Sequence, residues 1–191
     1  MGKIRQLDQH VANLIAAGEV IERASSVVKE LVENSIDAGA TLINIALTGS
    51  GLKEIIVSDN GCGMDKSDVK MAFLPHATSK IFDPNDLFNI KTLGFRGEAL
   101  PSIISVSNFK IKTSVDGKSG LMVALKGGEI TSEAVIAHPI GTEIQVKNLF
   151  FNTPARLQNL KSEKSPPPRS TRMKPSWLSG ISPLRPPPTS W

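Results

Sequence analysis

The run Val27-Val28-Lys29-Glu30-Leu31-Val32-Glu33-Asn34-Ser35-Ile36-Asp37-Ala38-Gly39 constrains the fold more than any other stretch of the sequence. Its apolar residues Val27, Val28, Leu31, Val32 and Ile36 fall on one side of a 3.6-residue period, which predicts a helix with a buried stripe. Ser25 or Ser26 is placed to cap its start and Gly39 to close its end. Glu30 and Asn34, four residues apart, stand one above the other. Two readings of that pair stay open on the helix alone. One is a solvated face, the commoner situation for Glu and Asn. The other is a carboxylate that handles a proton, with an amide oxygen one turn away that can ligate a hard cation such as Mg²⁺.

Around this helix the hydrophobic pattern alternates between periods. Residues 10–21 have helical spacing, with Gly18 as a weak point. Residues 42–47 and 54–59 read as strands, the first ending at Gly49-Ser50-Gly51 and the second stopped by Asn60-Gly61. Asp65 is placed to cap a short helix through Phe73. Residues 74–91 lose periodicity and read as a long loop, a length usually reserved for functional or mobile segments. A helix opens at Glu98, with Pro101 tolerable in its first turn. Strands are expected over 106–114, 120–125 and 142–146, with Asp116-Gly117 turning between the first two. A short helix over 154–160, with Thr153 as its cap, ends the patterned body.

The single cysteine, Cys62, excludes an internal disulfide and a cysteine-based zinc site. No run approaches the ~18 apolar residues of a membrane span, so no membrane association is expected. The start of the chain lacks the apolar core of a signal peptide and the hydroxyl residue of a myristoylation motif. The expectation is a cytoplasmic protein, in a bacterial cytoplasm, or nuclear if eukaryotic. The net charge of +4 comes from residues 165–191, which hold Arg169, Arg172, Lys174 and Arg185 and no acid; the 18 basic and 18 acidic residues before them cancel. The body therefore carries no electrostatic footprint for DNA.

Two glycine-rich places imitate nucleotide motifs and fail. Gly117-Lys118-Ser119 ends like a P-loop, but Lys112 stands where its first glycine is needed; Gly61-Cys62-Gly63 starts a dinucleotide fingerprint, but Lys66 occupies its last position. More specific is Asp59-Asn60-Gly61-Cys62-Gly63-Met64. A carboxylate at the end of an apolar strand is a pure acceptor, suited to the exocyclic amine of adenine and repelled by a guanine carbonyl. Gly61 and Gly63 let the backbone approach a flat base. The run from Gly94 through Phe95, Arg96, Gly97, Glu98 and Ala99 to Leu100 is glycine-rich at a helix start, where free N–H groups attract phosphate. Thr78, Ser79 and Lys80 add two hydroxyls and a cation. His76 reads as a loop hydrogen-bonding residue.

Glu30–Asn34, Asp59–Met64, Gly94–Leu100 and Gly141-Thr142-Glu143 resemble, in order, the four motifs of the GHKL ATPases, the superfamily of DNA gyrase, heat-shock chaperones, histidine kinases and MutL. Ile15-Ala16-Ala17-Gly18-Glu19-Val20-Ile21-Glu22-Arg23, His76-Ala77-Thr78-Ser79-Lys80 and Leu149-Phe150-Phe151-Asn152-Thr153-Pro154-Ala155-Arg156 narrow the resemblance to the MutL family of DNA mismatch-repair proteins. It runs from about Ile4 to Glu163. The last string disfavours a topoisomerase-type ATPase.

The resemblance implies an α/β fold, an α+β two-layer sandwich of the Bergerat type with helices on one face of a mixed sheet, and ATP and Mg²⁺ as ligands. Carried over by position, Glu30 is the general base for water, Asn34 holds Mg²⁺, and Asp59 reads adenine with Thr142 in support. Gly61, Gly63 and Met64 then line the base. Thr78, Ser79, Lys80 and the run from Gly94 to Leu100 bind the phosphates. Departures from the family's strings are Ala24, Pro75 and Pro101.

Residues 1–163 are expected to form the ATP-binding domain. The family's later parts, a subdomain with a γ-phosphate lysine and a DNA groove and a dimerisation domain, are expected to be missing here. Family members meet a mismatch-recognition protein of the MutS type, contact DNA and form homodimers; this chain is expected to be a monomer. Residues 164–191 form a Pro/Ser-rich basic tail, holding eight of the 13 prolines. The tail is expected to be disordered, to add nothing to the sheet and to stem from a shifted reading frame. The rival reading is a truncated, catalytically inactive module that uses this Pro-rich tail for docking.

Overall fold

The computed structural model describes residues 5, 8, 15, 17–79, 83, 92–94, 97–162 and 171–173. In chain order its elements are α1 (Ala24–Asp37), β1 (Ile43–Thr48), β2 (Glu54–Asp59), α2 (Lys66–Ala72), α3 (Ala99–Ser105), β3 (Asn108–Ser114), β4 (Gly120–Lys126), β5 (Glu129–Ile136), β6 (Gly141–Lys147), α4 (Pro154–Ser162) and β7 (Thr171–Met173). Residues 17–20, before α1, are also helical. The strands form one sheet in the order β5-β4-β3-β6-β2-β1-β7.

Period-two alternation gives this sheet a dry face and a wet face. Ile55 and Val57 of β2, Phe109 and Ile111 of β3, Leu121, Val123 and Leu125 of β4, and Ile144 and Val146 of β6 are buried. Against them, α1 packs on β2, and α3 on β3 and β4. The alternate residues form a polar ladder on the other face: Lys112 with Glu143 at 2.7 Å, Gln145 with Glu54 at 2.7 Å and Lys147 with Glu54 at 3.3 Å. Exposed pairs of this kind contribute about 0–1 kcal/mol each, so apolar burial on the first face holds the layers together. The two-layer α/β sandwich is as expected.

Strand direction departs from expectation. The sheet is not mixed: every pairing among the described residues is antiparallel. The strand-helix-helix-strand run from β2 to β3 does leave those two strands parallel, but β6 lies between them and pairs antiparallel with both.

β5 escaped the sequence pattern because every residue but its last is exposed, so no buried face marks it. Its signal is the turn. Gly127 and Gly128, both at positive φ, form the two-residue link that suits a β4–β5 hairpin. The tail also departs from expectation, since Thr171–Met173 pair antiparallel with Ile43–Ile45 at the sheet edge. These three residues lie between prolines and carry the N–H groups that a ladder requires. Residues 164–170 and 174–191, and most of 80–91, lie outside the described residues.

The organising helix differs in phase and start. Val27, Leu31 and Ser35 are its buried residues, while Ile36 faces out at 36% exposure. Its N-cap is Arg23, with no side-chain cap from Ser25 or Ser26. Its end is as expected. Gly39, at φ 73°, donates to Ile36 O at 2.9 Å, and Ala40 donates to Ser35 O at 3.1 Å, a Schellman closure.

α2 starts where its cap predicts. Asp65 accepts from Ser67 N at 2.8 Å, Asp68 N at 2.9 Å and Ser67 Oγ at 2.6 Å. The Ser67 hydroxyl first, then the Asp68 N–H, hold its carboxyl below the ordinary 3.8. A depressed carboxylate stabilises the fold above its unfolded pKa and loses that contribution as pH falls through the folded one. Asp65→Ala should therefore lower the melting temperature at neutral pH, and the gap to wild type should close as the solution is acidified below 3.8. A gap that is constant with pH would show that the carboxylate charge plays no part.

Candidate functional site

The site is assembled at the end of β2. Asp59, half-buried, is the last residue of that strand and pairs in register with Thr142 of β6. Its Oδ1 accepts the N–H of Gly61 at 2.9 Å and of Thr142 at 3.2 Å. Its Oδ2 lies 2.8 Å from Ser35 Oγ, whose single proton is shared with Leu31 O at 3.0 Å. Three donors from three elements thus orient one carboxylate. Ser35 is buried on α1 because this hydroxyl is satisfied there. The row set by Val27 and Leu31 turns Ser35, and not Ile36, toward the sheet.

Behind Asp59 lies Thr113 of β3, fully buried. Its Oγ1 accepts from Met64 N at 2.9 Å, donates to Gly141 O at 3.0 Å and lies 3.0 Å from Thr142 Oγ1. The arrangement that uses every atom has Thr142 donating to Thr113, which leaves Thr142 Oγ1 an acceptor. The sequence reading missed Thr113 and Ser35. The signal for Thr113 was present, as a hydroxyl in phase with Phe109 and Ile111 on a buried strand row.

Glycines let these segments touch. A Cβ on Gly141, at φ 124°, would strike the carbonyl of Asp59, and one on Gly63, at φ 70°, the carbonyl of Ser114. Gly61 and Gly63 thus serve chain-to-chain approach whatever else they line.

On α1, Glu30 and Asn34 are both half-buried on one stripe. Lys29 contacts Glu30 at 3.4 Å but sits closer to Glu33, at 2.7 Å. The Glu33 hydrogen bond is the main reason the Lys29 pKa is raised. Glu30 therefore keeps acceptor capacity for another partner. Among the described residues no group of three or more His, Cys, Asp or Glu could hold a metal. A cation here would rest on the Asn34 oxygen together with ligand and water oxygens, a donor set that suits Mg²⁺.

The tertiary structure also joins the 76–79 string to the glycine-rich string. His76, at φ 63°, donates its N–H to Gly97 O at 3.1 Å, and its Nδ1 lies 3.3 Å from Glu98 Oε1. A Cβ on Gly97 would strike the Ala77 carbonyl. Thr78 is half-buried beside this junction and Ser79 exposed, and Ala99 and Leu100 form the first turn of α3. The N–H of Gly94 is already engaged by Asp37, at 3.2 Å. Lys80, Phe95 and Arg96 lie outside the described residues. No described helix is long and apolar enough to cross a membrane.

Residues 21–153 match the family described as histidine kinase-, DNA gyrase B- and HSP90-like ATPase. The chain is 59% identical over 162 residues to the DNA mismatch repair protein MutL of Bacillus cytotoxicus, covering 85% of this chain and 25% of that protein. To the MutL of Lacticaseibacillus casei it is 55% identical over 165 residues, covering 86% and 25%. It thus spans about a quarter of the length of the curated relatives it matches. The Aquifex aeolicus MutL ATPase domain complexed with ADP superposes with a TM-score of 0.58 at 35% identity, covering 73% of this chain and 48% of that one. An N-terminal domain of a DNA repair protein superposes at 0.68 and 35% identity, covering 80% and 43%.

The hydroxyl of Thr113 is the testable centre of the polar cluster. Thr113→Val keeps the shape but strands the Met64 N–H, so it should cost about 1–3 kcal/mol in urea unfolding. An unchanged midpoint would mean that the cluster rearranges without this hydroxyl.

Proposed function

This chain belongs to the histidine kinase-, DNA gyrase B- and HSP90-like ATPase family, and on that footing we propose that it binds and hydrolyses ATP as the ATPase region of a MutL-type DNA mismatch-repair protein. The observation that carries the reading is the Asp59 carboxylate, held by Ser35, Gly61 and Thr142 at the foot of the α1 polar stripe. All three neighbours donate, so Asp59 keeps its remaining lone pairs as acceptors for the amine of adenine; a guanine carbonyl would meet the same charge and be repelled. Thr142 Oγ1 adds an acceptor beside it. Gly61, Gly63 and Met64 border the base.

From the base the ligand would run along α1. The Asn34 amide oxygen suits Mg²⁺, which when bound neutralises phosphate charge. Glu30, one turn back, would take the proton from the attacking water. Thr78, Ser79 and Lys80, with the run from Gly94 to Leu100, would hold the phosphates. Positioning and electrostatics of this kind are most of what phosphoryl transfer asks of a protein.

Residues 1–163 would make up this unit, with 164–191 outside it. At the level of the whole protein, the similarity to MutL supports coordination of repair on mismatched DNA, with a mismatch-recognition partner of the MutS type. DNA contact and homodimerisation would then fall to parts beyond this unit, and the location would be the cytoplasm.

Two variants separate binding from chemistry. Glu30→Ala should leave ATP affinity close to wild type and reduce turnover by about 10²–10⁴-fold, the usual worth of a positioned base. Asp59→Asn should weaken ATP by about 1.5–3 kcal/mol, since a charged hydrogen bond is lost. Calorimetry with a non-hydrolysable analogue and a phosphate-release assay read both. Equal turnover in Glu30→Ala would remove Glu30 from the mechanism, and binding without any turnover in wild type would favour a non-catalytic module.

A further inference from the structure

Asp37 lies outside every role assigned so far. It is the last residue of α1, where the partial negative charge of the helix end disfavours a carboxylate. It is not needed to close that end, because the N–H groups of Ala38, Gly39 and Ala40 already satisfy the carbonyls of Asn34, Ile36 and Ser35. Its two oxygens instead take one N–H each from a segment more than fifty residues away: Leu93 to Oδ1 at 3.0 Å and Gly94 to Oδ2 at 3.2 Å. The Leu93 side chain is 54% exposed, so its own burial does little to hold it there. Thr92 adds only a local bond, from its hydroxyl to Gly94 O at 2.9 Å.

Glu30, Asn34 and Asp37 sit at i, i+4 and i+7, within about 60° of one another around the helix axis. One rigid stripe therefore carries the carboxylate proposed for water, the amide proposed for the cation and the anchor of Leu93 and Gly94. We infer that Asp37 is a positioning residue for the phosphate end of the nucleotide. By gripping the two N–H groups, its carboxylate fixes the start of the glycine-rich segment relative to Asn34. The N–H of Gly94 is spent on Asp37 and not on phosphate, so Gly94 contributes by where it stands. The inference rests on the nucleotide-binding reading above.

Asp37→Asn supplies a discriminating test, because its amide offers one acceptor where two N–H groups need two. Adenosine, ADP and a non-hydrolysable ATP analogue, each titrated into the full chain with Mg²⁺, separate base from phosphate contributions. The expected result is a loss of about tenfold for ADP and the ATP analogue, in line with one charged hydrogen bond. Adenosine affinity should be unchanged and the melting temperature close to wild type. Amide exchange at Leu93 and Gly94, followed without nucleotide, should accelerate in Asp37→Asn and further in Asp37→Ala. Equal losses for adenosine and ADP would reduce Asp37 to a structural role and overturn the inference. So would an unchanged ADP-to-adenosine ratio, tighter ADP binding, or exchange at Leu93 and Gly94 that is indifferent to the substitution. Wild-type protein that binds none of the three ligands would instead overturn the nucleotide-binding reading itself.

Discussion

Taking a carboxylate partly out of water costs free energy that converging donors offset, and the convergence on Asp59 ties the molecule together. Its partners come from a helix, a turn and a strand remote in sequence: Ser35, Gly61 and Thr142. Thr142 reaches it because β6 is inserted between β2 and β3, which also lays Thr113 against the other side of Thr142. Had β3 paired directly with β2, as a mixed sheet would allow, neither threonine would stand where it does. Gly141 belongs to the same constraint, since a Cβ there would strike the Asp59 carbonyl.

Helix α1 links this polar hub to the rest of the site through its two faces. Val27 and Leu31 anchor it on the apolar side, and Ser35 continues that row as a hydroxyl satisfied by Asp59. Beside that row, turned by about 90° around the axis, run Glu30, Asn34 and Asp37. Because the Schellman closure at Gly39 and Ala40 ends the helix without help from side chains, Asp37 is released to hold Leu93 and Gly94. Packing of one row thus fixes the positions of polar groups on the stripe beside it, which is how a rigid scaffold gives short polar motifs a defined geometry.

Sequence pattern succeeded where burial imprints a period. β1, β2, β3, β4 and β6 and the cap of α2 lie close to where alternation and Asp65 put them, because each strand presents one dry face. β5 failed because an edge strand exposed on both faces has no such imprint; only Gly127-Gly128 spoke for it. Thr171–Met173 failed because composition describes a tail as a whole, whereas a sheet edge needs only a few free N–H groups between prolines.

For the site, the residues of α1, of the Asp59 turn and of the glycine-rich run were legible as motifs, since their chemistry is local: an acid after a strand, glycines where the chain turns, an amide one turn from a carboxylate. What the sequence determined by itself was therefore the set of chemical groups and their spacing along each element. Which groups share an atom was decided only by the tertiary structure. The contacts of Asp59 with Ser35 and Thr142, of Thr113 with Met64, of Asp37 with Gly94 and of His76 with Gly97 span from about twenty to more than eighty positions. No periodicity reports them, because they depend on strand order and on which face of a helix meets the sheet. Those are settled by packing the whole apolar layer at once.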